Sequence, residues 1–240
     1  MTTVLRQIAL LLALLPMLAL AQTPAPTTTA ATTTAATATP TSATGPRLGI
    51  DYEVMPLPAP TYGHGGIEVA EVFSYACIHC AHFQPLVSAW KKHKPADVRW
   101  EYVPADFGGV WNTFARAYFA ADRLHVLDKT HEAVFRAIHE EHAINGGEPE
   151  DVATLYAKFG VDHDKFLAAM NDPSTDKRLE HARQFVLATG IQGTPTLIID
   201  GRYRITATAD RGFAGMLATA DYLIALERAA IKNAASHKTH

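Results

Sequence analysis

Cys77 and Cys80 are the chain's two cysteines, separated by Ile78 and His79. In a chain of 240 residues, two cysteines fall three apart by chance in roughly one arrangement in a hundred. The spacing therefore carries functional weight. Two cysteines cannot staple a small loop-rich fold, but they can form one bond. At the start of a helix such a pair has a mechanical logic. A helix N-terminus carries unsatisfied N–H groups and a partial positive charge, which stabilise a thiolate on the first cysteine. Its pKa falls, and the sulfur becomes a ready nucleophile and a good leaving group. Cys77 is the expected exposed sulfur. Cys80, one turn along, is expected to face inward and to attack a mixed disulfide formed at Cys77. His79 can donate a hydrogen bond to the thiolate, which favours the reduced form and makes the disulfide a stronger oxidant.

Other chemistries suit these residues less well. A structural disulfide closing so short a ring within one helix would constrain almost nothing. A metal site built from Cys77, His79, Cys80 and His82 would require one short turn to wrap four tetrahedral ligands, with no second cysteine pair to help. A metal-binding or copper-delivery module is thus the rival from a different class, and no metal is expected. His131, His139 and His142 read as the solvated flank of one helix. Neither a phosphate loop nor a nucleophile elbow is present, and no cofactor is expected. With 21 Lys and Arg against 24 Asp and Glu, the chain lacks the basic excess of a nucleic-acid binder.

The surrounding elements must place the sulfurs. Arg6 followed by the apolar run Ile8 to Ala21, ending Ala-Leu-Ala, reads as a signal peptide over residues 1–21. From Gln22 to Pro46, 22 of 25 residues are Thr, Ala or Pro, the composition of a flexible spacer. Folding is expected from Arg47, with an extended piece at Tyr52–Leu57. Ile67–Phe73 reads as a central strand, apolar on both faces except at Glu68 and Glu71. A helix from Cys77 to Lys94 and a strand Val98–Val103 follow. Residues 111–189 read as helical, with one segment at Leu179–Ala188. Pro195–Asp200 and Tyr203–Ile205 form a hairpin through Asp200-Gly201, and Phe213–Ile231 is the last helix.

Glu71-Val-Phe-Ser-Tyr-Ala-Cys77-Ile-His-Cys80 resembles the active-site segment of the bacterial disulfide bond protein A (DsbA) family. The family resemblance implies an α/β thioredoxin fold, residues 47–110 and 190–240, with an inserted all-helical domain at 111–189. Gly193-Thr194-Pro195 is similar to the family's cis-proline loop, which implies that the Thr194 backbone contacts an extended peptide client beside Pro195. Glu71 matches the family's buried acid, and the resemblance implies that it exchanges a proton with Cys80. Two departures stand out. The dipeptide is Ile-His where well-known members have Pro-His, and Glu101 stands where the family often has a lysine, so a Glu–Lys proton relay is not expected. The resemblance implies an exported thiol:disulfide oxidoreductase in the periplasm. It would oxidise reduced, unfolded exported proteins and be reoxidised by a DsbB-like membrane partner. A disulfide isomerase or reductase of the same fold is the nearest alternative. Isomerases of this kind usually carry a preceding dimerisation module, so a monomer is expected.

Overall fold

The computed structural model describes residues 45–144 and 146–237. The expected signal peptide and all but the end of the expected spacer lie outside them. Five strands form one mixed sheet: β1 (Glu53–Val54), β2 (Ile67–Phe73), β3 (Val98–Pro104), β4 (Thr196–Ile199) and β5 (Tyr203–Ile205), in spatial order β1-β5-β4-β2-β3. Only β2 and β3 pair in parallel. Their crossover is α1 (Ile78–Lys91). Between β3 and β4 the chain forms α2 (Val110–Arg123), α3 (Leu127–His139), α4 (Pro149–Lys158), α5 (His163–Met170) and α6 (Pro173–Thr189), and α7 (Gly212–His237) closes it. This is the expected thioredoxin-type sheet with its helical insertion.

Every residue of β2 is buried, as expected for a strand covered on both faces. Alternation assigns its two sides. Ile67 and Val69 pack with Phe83 and Val87 of α1 and Leu223 of α7, whereas Ala70 and Val72 belong to the core shared with the inserted helices. An aromatic cluster bonds the two parts. The Phe73 ring lies 5.3 Å from Tyr118 of α2 and 5.2 Å from His131 of α3, both edge-on.

Several boundaries differ from the sequence reading for identifiable reasons. Only two residues of Tyr52–Leu57 pair as a strand, because Pro56 and Pro58 remove backbone donors. The helix expected at Leu179–Ala188 begins at Pro173, where the Asp172 side chain caps it by accepting from the Ser174 N–H. Helix α1 ends at Lys91 rather than Lys94, and α7 continues past Ile231 to His237.

Glu68 fastens the loop ahead of β2. Fully buried, it accepts from the N–H groups of Tyr62 and Gly63, each at 2.7 Å, and pairs with Arg99. Glu68→Ala leaves two amides and a guanidinium short of their partner, which costs about 3–5 kcal/mol. Urea unfolding should show that loss as a lowered midpoint with an unchanged slope; an unchanged midpoint would make the latch energetically idle.

Candidate active site

The β2–α1 junction sets the two sulfurs. A turn from Ser74, whose carbonyl accepts from the Cys77 N–H at 3.0 Å, delivers Cys77 as the N-cap of α1. In place of a hydroxyl or carboxylate, its sulfur takes the capping role. Cys77 Sγ accepts from the Cys80 N–H at 3.3 Å and its thiol lies 3.4 Å from the Thr194 carbonyl, to which it donates. Both cysteines are free thiols. The Cys77 pKa drops to about 5. The first cause is the hydrogen bond from the Cys80 thiol; burial opposes it, while the N–H groups of Cys80 and His79 reinforce it. Burial, with the neighbouring Cys77 and Glu71, pushes the Cys80 thiol far above the ordinary range. One sulfur is thus poised as thiolate and the other held as thiol.

Two expectations need correction here. Cys77 is only 8% exposed, because the loop carrying Thr194 and buried Pro195 covers it; Cys80 is wholly buried as expected. The His79 ring makes no hydrogen bond to the sulfur. At the second position of a helix the side chain points outward while the N–H points back at the cap, so His79 reaches Cys77 through its main chain. Its exposed ring instead lines a cleft of about 620 Å³ together with Gly193, Thr194, Pro195, Ile50 and Phe213. The Thr194–Pro195 peptide is cis. Thr196 Oγ1 donates to the Gly193 carbonyl at 2.8 Å, which pins the loop facing Cys77.

Glu71 projects from the sheet face that carries α1, opposite Leu197 on β4 and Tyr102 on β3. It is 1% exposed, and its Oε2 has no hydrogen-bond partner. Burial raises its pKa to about 8, opposed by the charge of Lys91 and assisted by Cys77. A carboxyl neutral near pH 7 and electrostatically coupled to Cys80 can give or take a proton there.

Lys91 escaped the sequence reading. Glu101 pairs across from Ala70, so it lies on the opposite face of the sheet from Glu71, where Arg99 holds it at 2.9 Å. The cation comes from the helix instead. Lys91 follows Cys80 by about three turns and so returns to the same face of α1. Although the residue is exposed, its amino group sits 4.7 Å from the Tyr102 ring centroid. Burial lowers its pKa and Glu71 counters that fall. Position 101 supplies no lysine, as the sequence shows, and the positive charge that acts on Glu71 is that of Lys91. The helical spacing from Cys80 is the signal that could have found it.

The histidine reading also changes. His131 is not on a solvated flank: it is buried between Tyr75 Oη (2.8 Å from Nδ1) and Gln84 Oε1 (3.2 Å from Nε2), and burial lowers its pKa to about 3. His139 Nε2 donates to the Tyr75 carbonyl at 2.8 Å. His142 lies beyond the end of α3, with φ 50°. Among the described residues no three His, Cys, Asp or Glu side chains gather as a metal site.

Comparison with known proteins shows the family. The DSBA-like thioredoxin domain family model matches residues 68–217. The chain is 38% identical over 184 residues to the thiol:disulfide interchange protein DsbA of Pseudomonas aeruginosa, covering 77% of this chain and 87% of that protein. The Azotobacter vinelandii protein of the same name is 36% identical, covering 77% and 86%. Among solved structures, the oxidoreductase DsbA of Xylella fastidiosa is 43% identical with a TM-score of 0.72, covering 77% of this chain and 98% of that one. Pseudomonas aeruginosa DsbA superposes with a TM-score of 0.73 at 38% identity, covering 78% and 96%.

The site generates two expectations. Iodoacetamide should alkylate Cys77 of the reduced protein with a midpoint at about pH 5 and a plateau through neutrality; a midpoint at the usual thiol value would remove the thiolate from the site. For Glu71, the folded pKa of about 8 lies above the ordinary 4.5. The stability tied to its neutral form is full below pH 4.5 and is lost as pH rises to about 8. Glutamine does not titrate, so the melting-temperature gain of reduced Glu71→Gln over wild type should widen from pH 5 to pH 8. A constant difference would contradict a buried, neutral Glu71.

Proposed function

Since the chain belongs to the DsbA-like family of thiol:disulfide oxidoreductases, we propose that it works as a dithiol oxidase, passing a Cys77–Cys80 disulfide to reduced, unfolded proteins exported to the periplasm. A client thiolate attacks Cys77 Sγ, the Cys77–Cys80 bond breaks, and Cys80 leaves with the electron pair. Glu71, neutral at pH 7, supplies the proton that Cys80 requires in its buried position. A second client thiolate then attacks the client sulfur of the mixed disulfide, and Cys77 departs as a thiolate. Two electrons have passed from client to enzyme. The client's extended chain pairs with the Thr194 backbone beside Pro195. A DsbB-like membrane protein takes the electrons onward, and the enzyme acts as a monomer whose redox unit, 47–110 with 190–240, carries 111–189 as an inserted helical domain.

The observation that carries the oxidase direction is the place of Cys77 Sγ as the cap of α1, accepting from the Cys80 N–H, which lowers its pKa. A thiolate that persists down to about pH 5 stabilises the reduced form at pH 7 by about a hundredfold over an ordinary thiol. For a two-electron couple that is about 60 mV toward a stronger oxidant. Above the ordinary thiol pKa this stabilisation is complete, and it fades as pH falls to about 5. Equilibration with glutathione buffers measures it. A potential above about −180 mV is the expected result, and one near −270 mV would make the protein a reductant.

A further inference from the structure

Three cavities meet at Gly190. The redox cleft counts Gly190, Glu53 and Arg204 among its walls. The same three residues line a second cavity of about 660 Å³, whose outer walls are Leu48, Val54, Leu57 and Leu187. A third, of about 440 Å³, runs from Gly190 past Ile191 to Phe107 and Leu187.

Leu57 is 81% exposed and Leu187 79%; Leu48 and Val54 are more than half exposed. Single exposed leucines are ordinary, but four large apolar side chains around one bay mark a contact surface. The divide between cleft and bay is low because it is backbone: Gly190 caps α6 in the left-handed region, φ 62°. It is also firm. Arg204 donates to the carbonyls of Thr189 (3.2 Å) and Gly190 (3.1 Å) and pairs with Glu53, which neutralises its charge.

We infer that the bay is a second client subsite, taking an apolar side chain from the polypeptide whose cysteine reacts at Cys77. This rests on the proposed oxidase function. Continuity with the cleft identifies the occupant, since one end of a segment extended along the Thr194 loop, running toward Gly190, passes into the bay. Unfolded chains also present the apolar side chains that folded ones hide. Thr194 and Gly190 are four residues apart in sequence, so they stand at most about 14 Å apart. A client side chain about four to six residues from its cysteine then reaches the bay. Pairing with the Thr194 backbone is indifferent to sequence; the bay adds a preference for cysteines with an apolar residue at that distance.

The test compares single-cysteine peptides bearing leucine, or serine, four to six residues to either side of the cysteine. Oxidised protein is mixed with each, and mixed-disulfide formation is followed by stopped flow, with glutathione as a thiol too small to span both sites. Wild type should react with the best leucine peptide about tenfold faster than with its serine counterpart. A Leu57→Ser, Leu187→Gln double variant should lose that preference, and Ile231→Gln, an exposed change on α7, should keep it. Equal rates in wild type while glutathione reacts, or a preference surviving in the double variant, would overturn the subsite alone. Failure of glutathione itself to react would overturn the oxidase reading and the subsite with it. Sedimentation adds an independent check: a wild-type dimer that the double variant dissolves would give the bay to a second copy of the chain and overturn the proposal.

Discussion

The N-cap contact at Cys77 is the constraint around which the rest of the molecule is arranged. A sulfur that caps a helix needs a strand ending just ahead of it, a turn that frees the first amides, and a cover that limits water. Buried β2, the Ser74 turn and the Thr194–Pro195 loop supply these in order. The cost falls on Cys80, which sits one turn further into the core and cannot ionise there. In the proposed mechanism Glu71 beneath it meets that difficulty, since a neutral carboxyl can exchange a proton where water cannot reach. Lys91 keeps the carboxyl from rising further, so both sides of the exchange stay accessible near neutrality.

The chemistry was legible in the sequence where it depended on local spacing. Cys77, Cys80 and Glu71 sit on one strand–helix unit: the three-residue spacing on α1 places the two sulfurs, and the family resemblance of the segment places Glu71. Pro195 was legible only through the family resemblance of Gly193-Thr194-Pro195 together with the upstream cysteine pair, because a proline opening a strand is by itself ordinary punctuation. What escaped depended on tertiary contact. The spacing from Cys80 puts Lys91 on the right face of α1, but its place over the Tyr102 ring, from which its charge acts on Glu71, is set by tertiary packing. His131 looked like a surface residue because histidine on a charged helix usually is; four aromatic neighbours and Tyr75 draw it inward. The cover over Cys77 comes from a loop 117 residues away, beyond any reading of the active-site segment.

The insertion is more than an appendage to the redox unit. Tyr118, His131 and Phe135 extend the sheet's aromatic cluster, and the His139 ring holds the carbonyl of Tyr75, two residues ahead of Cys77. The helical block therefore braces the turn that presents the sulfur. Small shifts in it would be felt at the cap, since packed aromatic interiors transmit displacement rather than absorb it.

The 117-residue separation between Cys77 and Thr194 bears on timing. As a ribosome makes the chain, the cysteine pair emerges first, followed by five helices, and only then by the loop that completes the site. β4 inserts between β2 and β5, so the central pairing of the sheet waits for the last quarter of the chain. Until that closure the sulfurs stand on a half-built sheet without cover. The disulfide-exchange site and the completed fold thus arrive together, and an unfinished chain carries the two cysteines without the site that puts them to use.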